Sequence, residues 1–291
     1  MATMFKSRGS RKAALCLALT LPVSAVQARG AMSEQEFLDY LRSLSEPVSS
    51  GSASFSDLQG SVQSLGMLSA PPPSVSTFGI NSGFGLPGGS AFAAGALTDT
   101  RDRAGSDADG SGALGFGFGD ARDSIGADIS IGIISVDPRD FGEDGNVNAR
   151  IFRHLPGITA GGVSGVAVGV SNGLRWGDAK DINRNYFISG STIVNLRPDS
   201  GYTPLMLTAG YGTAIKNIER DPAAFAGVGV GLTSRFSASV SWGGDEWMAG
   251  VGIRPFLSHS AQITLGVGDA TNRLDGRRWI ITGSWFLEDL F

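Results

Sequence analysis

The sequence predicts an all-β protein, a closed antiparallel transmembrane β-barrel of about twelve strands with a short N-terminal helix. Three observations predict it. Short segments of alternating side-chain character, most of them 9–13 residues long, succeed one another from about Gly88 to the last residue. The connections between them alternate between long polar loops and short turns. Large aromatics gather at the two ends of the segments rather than along them.

Residues 1–28 carry the marks of an export signal. Lys6, Arg8, Arg11 and Lys12 precede a short apolar run from Ala13 to Leu21, and Val26-Gln27-Ala28 is a small-residue cleavage site. The run is too short for a membrane-spanning helix. The only cysteine, Cys16, lies inside it, so the mature chain is expected to hold no disulfide, thiolate nucleophile or thiolate metal site. Removing this segment's four basic residues from the 23 of the chain leaves 19 against 27 acidic ones, a balance of about −8. An acidic exported chain is a poor candidate for nucleic-acid binding.

Residues 29–73 differ in character from the rest of the chain. Ser33 and Glu36 form a capping-box start, and Phe37, Leu38, Leu41 and Leu44 fall on one helical face before Pro47 ends it. A Ser-rich stretch and Pro71-Pro72-Pro73 then read as a linker. The helix at 33–45, beside a periplasmic linker, is expected to cover barrel surface or to be disordered. Its alternative roles are a plug entering the lumen and a docking element for a periplasmic partner. The barrel itself is assigned to 74–291.

The barrel region divides into twelve segments, approximately 89–98, 112–120, 124–136, 146–155, 163–176, 185–196, 204–213, 224–233, 235–243, 246–256, 260–269 and 277–291. Alternation is clearest late: Phe236, Ala238, Val240 and Trp242 alternate with Ser237, Ser239 and Ser241. A soluble sandwich could share that pattern. Loop parity and aromatics separate the two. Asp99 to Gly110, Asp137 to Gly145, Gly177 to Arg184, Ala214 to Ala223 and Ala270 to Gly276 are long and polar. Most even-numbered connections are short, although Gly244-Asp245 is tight where a long loop is expected. With the N-terminus in the periplasm, the long loops fall outside. Trp176, Trp242, Trp247 and Trp279 then lie at the outer membrane interface, and Phe236, Phe256 and Phe291 at the periplasmic one.

The final strand ends in Phe291, with Leu287, Trp285, Gly283, Ile281 and Trp279 on the same face. It resembles the C-terminal strand of Gram-negative outer-membrane β-barrel proteins, which typically ends in an aromatic residue. Asp289 departs from that pattern. The resemblance spans residues 75–291 as architecture. It implies residence in the outer membrane, contact with membrane lipid, and recognition by the barrel-assembly machinery during biogenesis. It implies no cargo, because fold does not fix function.

The chemistry-bearing residues are few. His154 and His259 map to the periplasmic rim, whereas the catalytic groups of outer-membrane hydrolases of this barrel type sit near the outer rim. Ser258-His259-Ser260, at a periplasmic turn, sets Ser beside His, but adjacent residues of an extended chain point apart. The expectation is a non-enzyme. The aspartates around Gly105, Gly110 and Gly142 match no calcium-loop pattern, and arginines interleave them, so solvated loops and no cofactor are expected. Gly115-Phe116-Gly117-Phe118-Gly119 is no nucleotide fingerprint, since no helix start follows it.

Opposite the apolar faces lie mainly Gly, Ser and Thr, which leave room for water, a ligand or a plug. The charged inward candidates for pore lining are Asp128, Arg150, Arg175, Arg254 and Arg278. Unpaired, they would make a positive constriction favouring anions; paired, they would seal the lumen. The functional expectation is a narrow channel for small hydrophilic solutes. Its alternative is a closed structural or adhesion barrel that holds a partner through its loops or the helix at 33–45.

Overall fold

A computed structural model describes residues 75–99, 108–134, 141–156, 158, 162–197, 202–257, 260–274, 277–288 and 290. The export segment, the helix at 33–45 with its linker, His259, Asp289 and Phe291 lie outside the described residues, as does most of the two Asp-rich loops.

The described chain forms twelve strands: β1 (Ala91–Asp99), β2 (Ala108–Gly119), β3 (Gly126–Ile133), β4 (Gly145–Leu155), β5 (Gly162–Trp176), β6 (Asn185–Asn195), β7 (Pro204–Ile215), β8 (Asp221–Gly231), β9 (Phe236–Trp242), β10 (Trp247–Ile253), β11 (Ala261–Gly268) and β12 (Arg278–Leu287). Each pairs antiparallel with the next, and β12 closes on β1 with Gly283 opposite Gly95. Closure leaves no unpaired sheet edge, which in a lipid interior would strand backbone N–H and C=O groups. The strands match the expected segments one for one, because a side-chain period of two runs through most of their length.

Alternation sorts the side chains onto two faces. Leu114, Ile131, Ile151, Ile188, Leu265 and Ile281 stand exposed on the outer face of six different strands. So continuous an apolar exterior is untenable in water and matched to hydrocarbon. The crossing is made by strands; among the described residues no helix is long and apolar enough to span a membrane. Trp176, Trp242, Trp247 and Trp279 all stand at the long-loop end of the barrel, while Phe236 and Phe256 stand at the short-turn end. Trp279 is 64% exposed, whereas Trp242 meets Trp247 in a tilted contact with ring centroids 5.2 Å apart and carries the Arg273 guanidinium over its ring.

One irregularity breaks the ladder. Between β4 and β5 the register shifts at Val147/Ala149, and Asn172 adopts φ 56° there. This bulge brings Asn146, Asn148 and Asn172 together inside the barrel. Asn148 Nδ2 donates to Asn146 Oδ1 at 3.0 Å, and Asn146 Nδ2 donates to Asn172 Oδ1 at 2.9 Å. The bulge is thus satisfied by buried amides rather than by the lost ladder bonds.

Candidate functional site

The inward face is built from small and polar residues, and a twelve-stranded ring so lined would leave a lumen. The lumen is filled by residues 75–90, which precede β1. Val75, Phe78, Ile80, Phe84 and Leu86 are all buried there, Phe78 completely.

The segment enters and leaves by the same end. Ser76 lies against Gly229, two residues from the short-turn end of β8. A turn over 78–80, with Gly79 at φ 77°, brings the chain under Met248, the second residue of β10 and near the long-loop end. The chain then descends past Arg150, Ser189 and Ser191 to Gly89. The Gly89 N–H donates to Gly117 O at 3.1 Å, and its carbonyl accepts from Leu290 N–H at 2.8 Å. The result is a re-entrant plug with an ascending limb, 75–80, and a descending limb, 82–90.

Glycines in the wall are the sockets for this plug. A Cβ at Gly250 would lie 2.9 Å from Phe78 Cγ, one at Gly227 would lie 2.8 Å from Ile80 Cδ1, and one at Gly165 would lie 2.7 Å from Phe84 Cδ1. Phe78 and Ile80 join Phe225, Met248 and Ile280 in one apolar cluster. Burying a phenylalanine in this way is worth about 2–3 kcal/mol.

Polar bonds complete the fit. On the ascending limb, Thr77 Oγ1 donates to Thr208 Oγ1 at 3.1 Å, Phe78 N–H donates to Ser239 Oγ at 3.2 Å, and Ser241 Oγ donates to Phe78 O. On the descending limb, Gly83 N–H donates to Ser191 Oγ at 2.8 Å, and Ser82 O accepts from Ser189 Oγ at 2.7 Å and Arg150 Nη1 at 3.4 Å. Leu86 N–H donates to Asp128 Oδ2 at 3.1 Å.

Asp128 and Arg150 face each other directly across β3 and β4. Arg150 Nη2 stands 2.6 Å from Asp128 Oδ2, both residues are 2% exposed, and Arg150 Nε also donates to that oxygen at 3.1 Å. Two desolvated charges are tolerable because each meets the other and the plug backbone besides.

The remaining inward candidates sit at the rims. Arg278 and Glu246 pair at the long-loop end through bonds of 2.7 and 2.8 Å. Arg175, at the end of β5, donates to the carbonyl of Ile182 in the following loop. Arg254 is buried just past β10 at the short-turn end. The five predicted residues therefore make no single ring. The partner Glu246 is hard to find in the sequence because it falls in the tight connection between β9 and β10.

His154 faces inward on β4, packed between Phe84 of the plug and Phe152, with centroids 5.7 and 6.3 Å away. Neither ring nitrogen has a hydrogen-bond partner among the described residues. Among the same residues no group of His, Cys, Asp or Glu is arranged to hold a metal.

A closed ring of strands, apolar outside and filled inside by its own preceding segment, is a membrane-spanning β-barrel with an internal plug. No protein-family model matches the sequence, and no curated protein matches it. Several solved structures resemble it in shape. The outer membrane protein Omp33 of Acinetobacter baumannii is 9% identical at a TM-score of 0.41, covering 68% of this chain and 97% of that one. An outer membrane channel of Pseudomonas putida F1 is 11% identical at 0.40, covering 69% and 97%. The outer membrane phospholipase A of Escherichia coli is 14% identical at 0.41, covering 71% and 95%. Likenesses of this size carry no argument about activity.

Proposed function

We propose that the protein is an outer-membrane channel for small hydrophilic solutes, held shut by its own residues 75–90. One observation carries this reading: beside the inward side chains of the wall, the lumen is filled by a separate, contiguous segment that packs against small residues from β8 to β11. A barrel built only to be solid fills itself with bulky inward residues. Here the wall from β8 to β11 offers Gly229, Ser237, Ser239, Gly250, Thr264 and Gly266, and Phe78 and Ile80 of the segment fill the space against it beside Phe225 and Met248 of the wall. Such a wall keeps its polar lining if the segment leaves. The last strand of the barrel, β12, with Trp279, Ile281 and Leu287 outward, supports recognition by the barrel-assembly machinery.

Planar-bilayer recording tests the reading. The full chain is expected to be closed at low voltage, and a variant lacking residues 75–88 to conduct steadily. A folded deletion variant that stays silent would remove the channel.

A second reading is favoured by the closeness of the fit between Phe78 and its glycine sockets. On that reading the plug is permanent, and the barrel is a structural anchor that holds a partner through its loops or the helix at 33–45. It predicts that pull-down of a periplasmic partner depends on residues 33–45 while conductance never appears. The position of His154, enclosed by two phenylalanines, supports a packing role over a hydrolytic one.

A further inference from the structure

We propose that the two limbs of the plug have different roles: residues 75–80 are the moving part that opens the lumen, and residues 82–90 are a fixed lining. The proposal rests on the channel reading and names the element that does the gating.

The limbs differ in what holds them. Among the described residues, no charged group bonds to residues 75–80; their partners are the hydroxyls of Thr208, Ser239 and Ser241. Residues 82–90 are tied to the Asp128–Arg150 pair at Ser82 and Leu86, and to neighbouring backbone at Gly89 and Ser90. Bonds to ionised groups are about twice as strong as neutral ones, and charged partners left behind in a low-dielectric lumen resist separation.

They also differ in connectivity. Ser90 leads straight into β1 at Ala91, so the descending limb continues into the wall itself. The ascending limb begins at the short-turn end of the lumen, beside Gly229, and can be withdrawn that way without threading any loop. The wall it leaves behind, on β8 and β10, is glycine at Gly227, Gly229 and Gly250, which presents no side chain to obstruct its path. The turn at Gly79 reverses the chain within the ascending limb, at a φ that glycine adopts freely.

Amide hydrogen exchange on the full chain, folded in micelles, reads this directly. The Phe78 amide, bonded to Ser239, is expected to exchange at least ~ten-fold faster, relative to its intrinsic rate, than those of Leu86 and Gly89. A second measurement uses Thr77→Cys and Ser82→Cys, each in a Cys16→Ser background. Both sites lie under hydroxyl pairs, with Thr208 and Ser191 respectively. Labelling by a small thiol reagent is expected to be at least ~ten-fold faster at the first, with the barrel still running as the compact heat-modifiable band. Equal protection, or a faster descending limb, would overturn the assignment. That result is separable from failure of the channel reading, which shows as silence of the deletion variant whatever the exchange rates are.

Discussion

The lumen has two walls that solve one problem in different ways. From β3 to β6 many inward residues are polar and bonded to one another or to the plug: Asp128 with Arg150, Ser130 with Asn148, Asn146 with Asn172, Ser189 and Ser191 with the plug. From β8 to β11 they are mostly Gly, Ser and Thr, and the space they leave is taken by Phe78 and Ile80. The first wall holds the plug by direction, through bonds that fix where Ser82 and Leu86 must lie. The second holds it by shape, through sockets that admit a ring only where a Cβ is missing. Specificity of placement comes from the polar wall, because hydrogen bonds weaken steeply with misalignment. Bulk stabilisation comes from the small-residue wall, because it scales with the apolar area removed from water.

Breaking the polar wall should have the largest effect. Asp128→Ala leaves the Arg150 guanidinium buried without its carboxylate, and is expected to cost about 3–5 kcal/mol in urea unfolding of the barrel. Converting both residues to apolar ones of similar volume should cost less than either single change, because no charge is then stranded. A loss below about 1 kcal/mol for Asp128→Ala would mean that water reaches the pair.

Emptying the other wall's socket comes next. Phe78→Ala should lose about 3 kcal/mol and raise the fraction of time the channel conducts. The socket can also be overfilled. Gly250→Ala would set a methyl 2.9 Å from the Phe78 ring and should cost about 1–3 kcal/mol, a penalty that shrinks in the Phe78→Ala background, where only the Cβ at 3.1 Å remains. Gly283→Ala is the control: its Cβ would meet nothing within 4 Å, and unfolding should be unchanged.

The two walls are not equally legible in the sequence. Every strand is readable, because a lipid-facing side chain at each second position leaves a period that no loop imitates. Asp128 and Arg150 are readable as inward by the same period. Their pairing requires the register across β3 and β4, which segment ends uncertain by about two residues cannot supply. The plug is hidden for a different reason. Residues 75–88 fall inside the region assigned to the barrel but before its first segment, and their glycines and serines give them no role of their own there. The sequence pattern directs the expectation of a plug to the helix at 33–45 instead. One signal is present: Phe78, Ile80, Phe84 and Leu86 recur at even spacings within a Gly-rich stretch, opposite a wall short of bulk. Missing bulk in a wall and surplus bulk in the adjoining segment are two halves of one packing problem.

The smallest effect tests the comparison most finely, because it uses the same substitution on both sides. Ser191 Oγ on the polar wall accepts from Gly83 N–H and stands 2.8 Å from Thr208 Oγ1 and 3.3 Å from Ser82 Oγ. Ser239 Oγ on the opposite wall accepts one bond, from Phe78 N–H. Ser191→Ala removes a node shared by both limbs and leaves several buried groups unsatisfied, so its cost should be about 2 kcal/mol. Ser239→Ala removes a single neutral bond and should cost about 1 kcal/mol. If polar contacts direct the plug and apolar contacts hold it, Ser191→Ala should also loosen protection of both the Phe78 and Gly83 amides, while Ser239→Ala loosens Phe78 alone. Equal costs and equal spread would mean that the two walls act as one, and that the division between directing and holding does not exist.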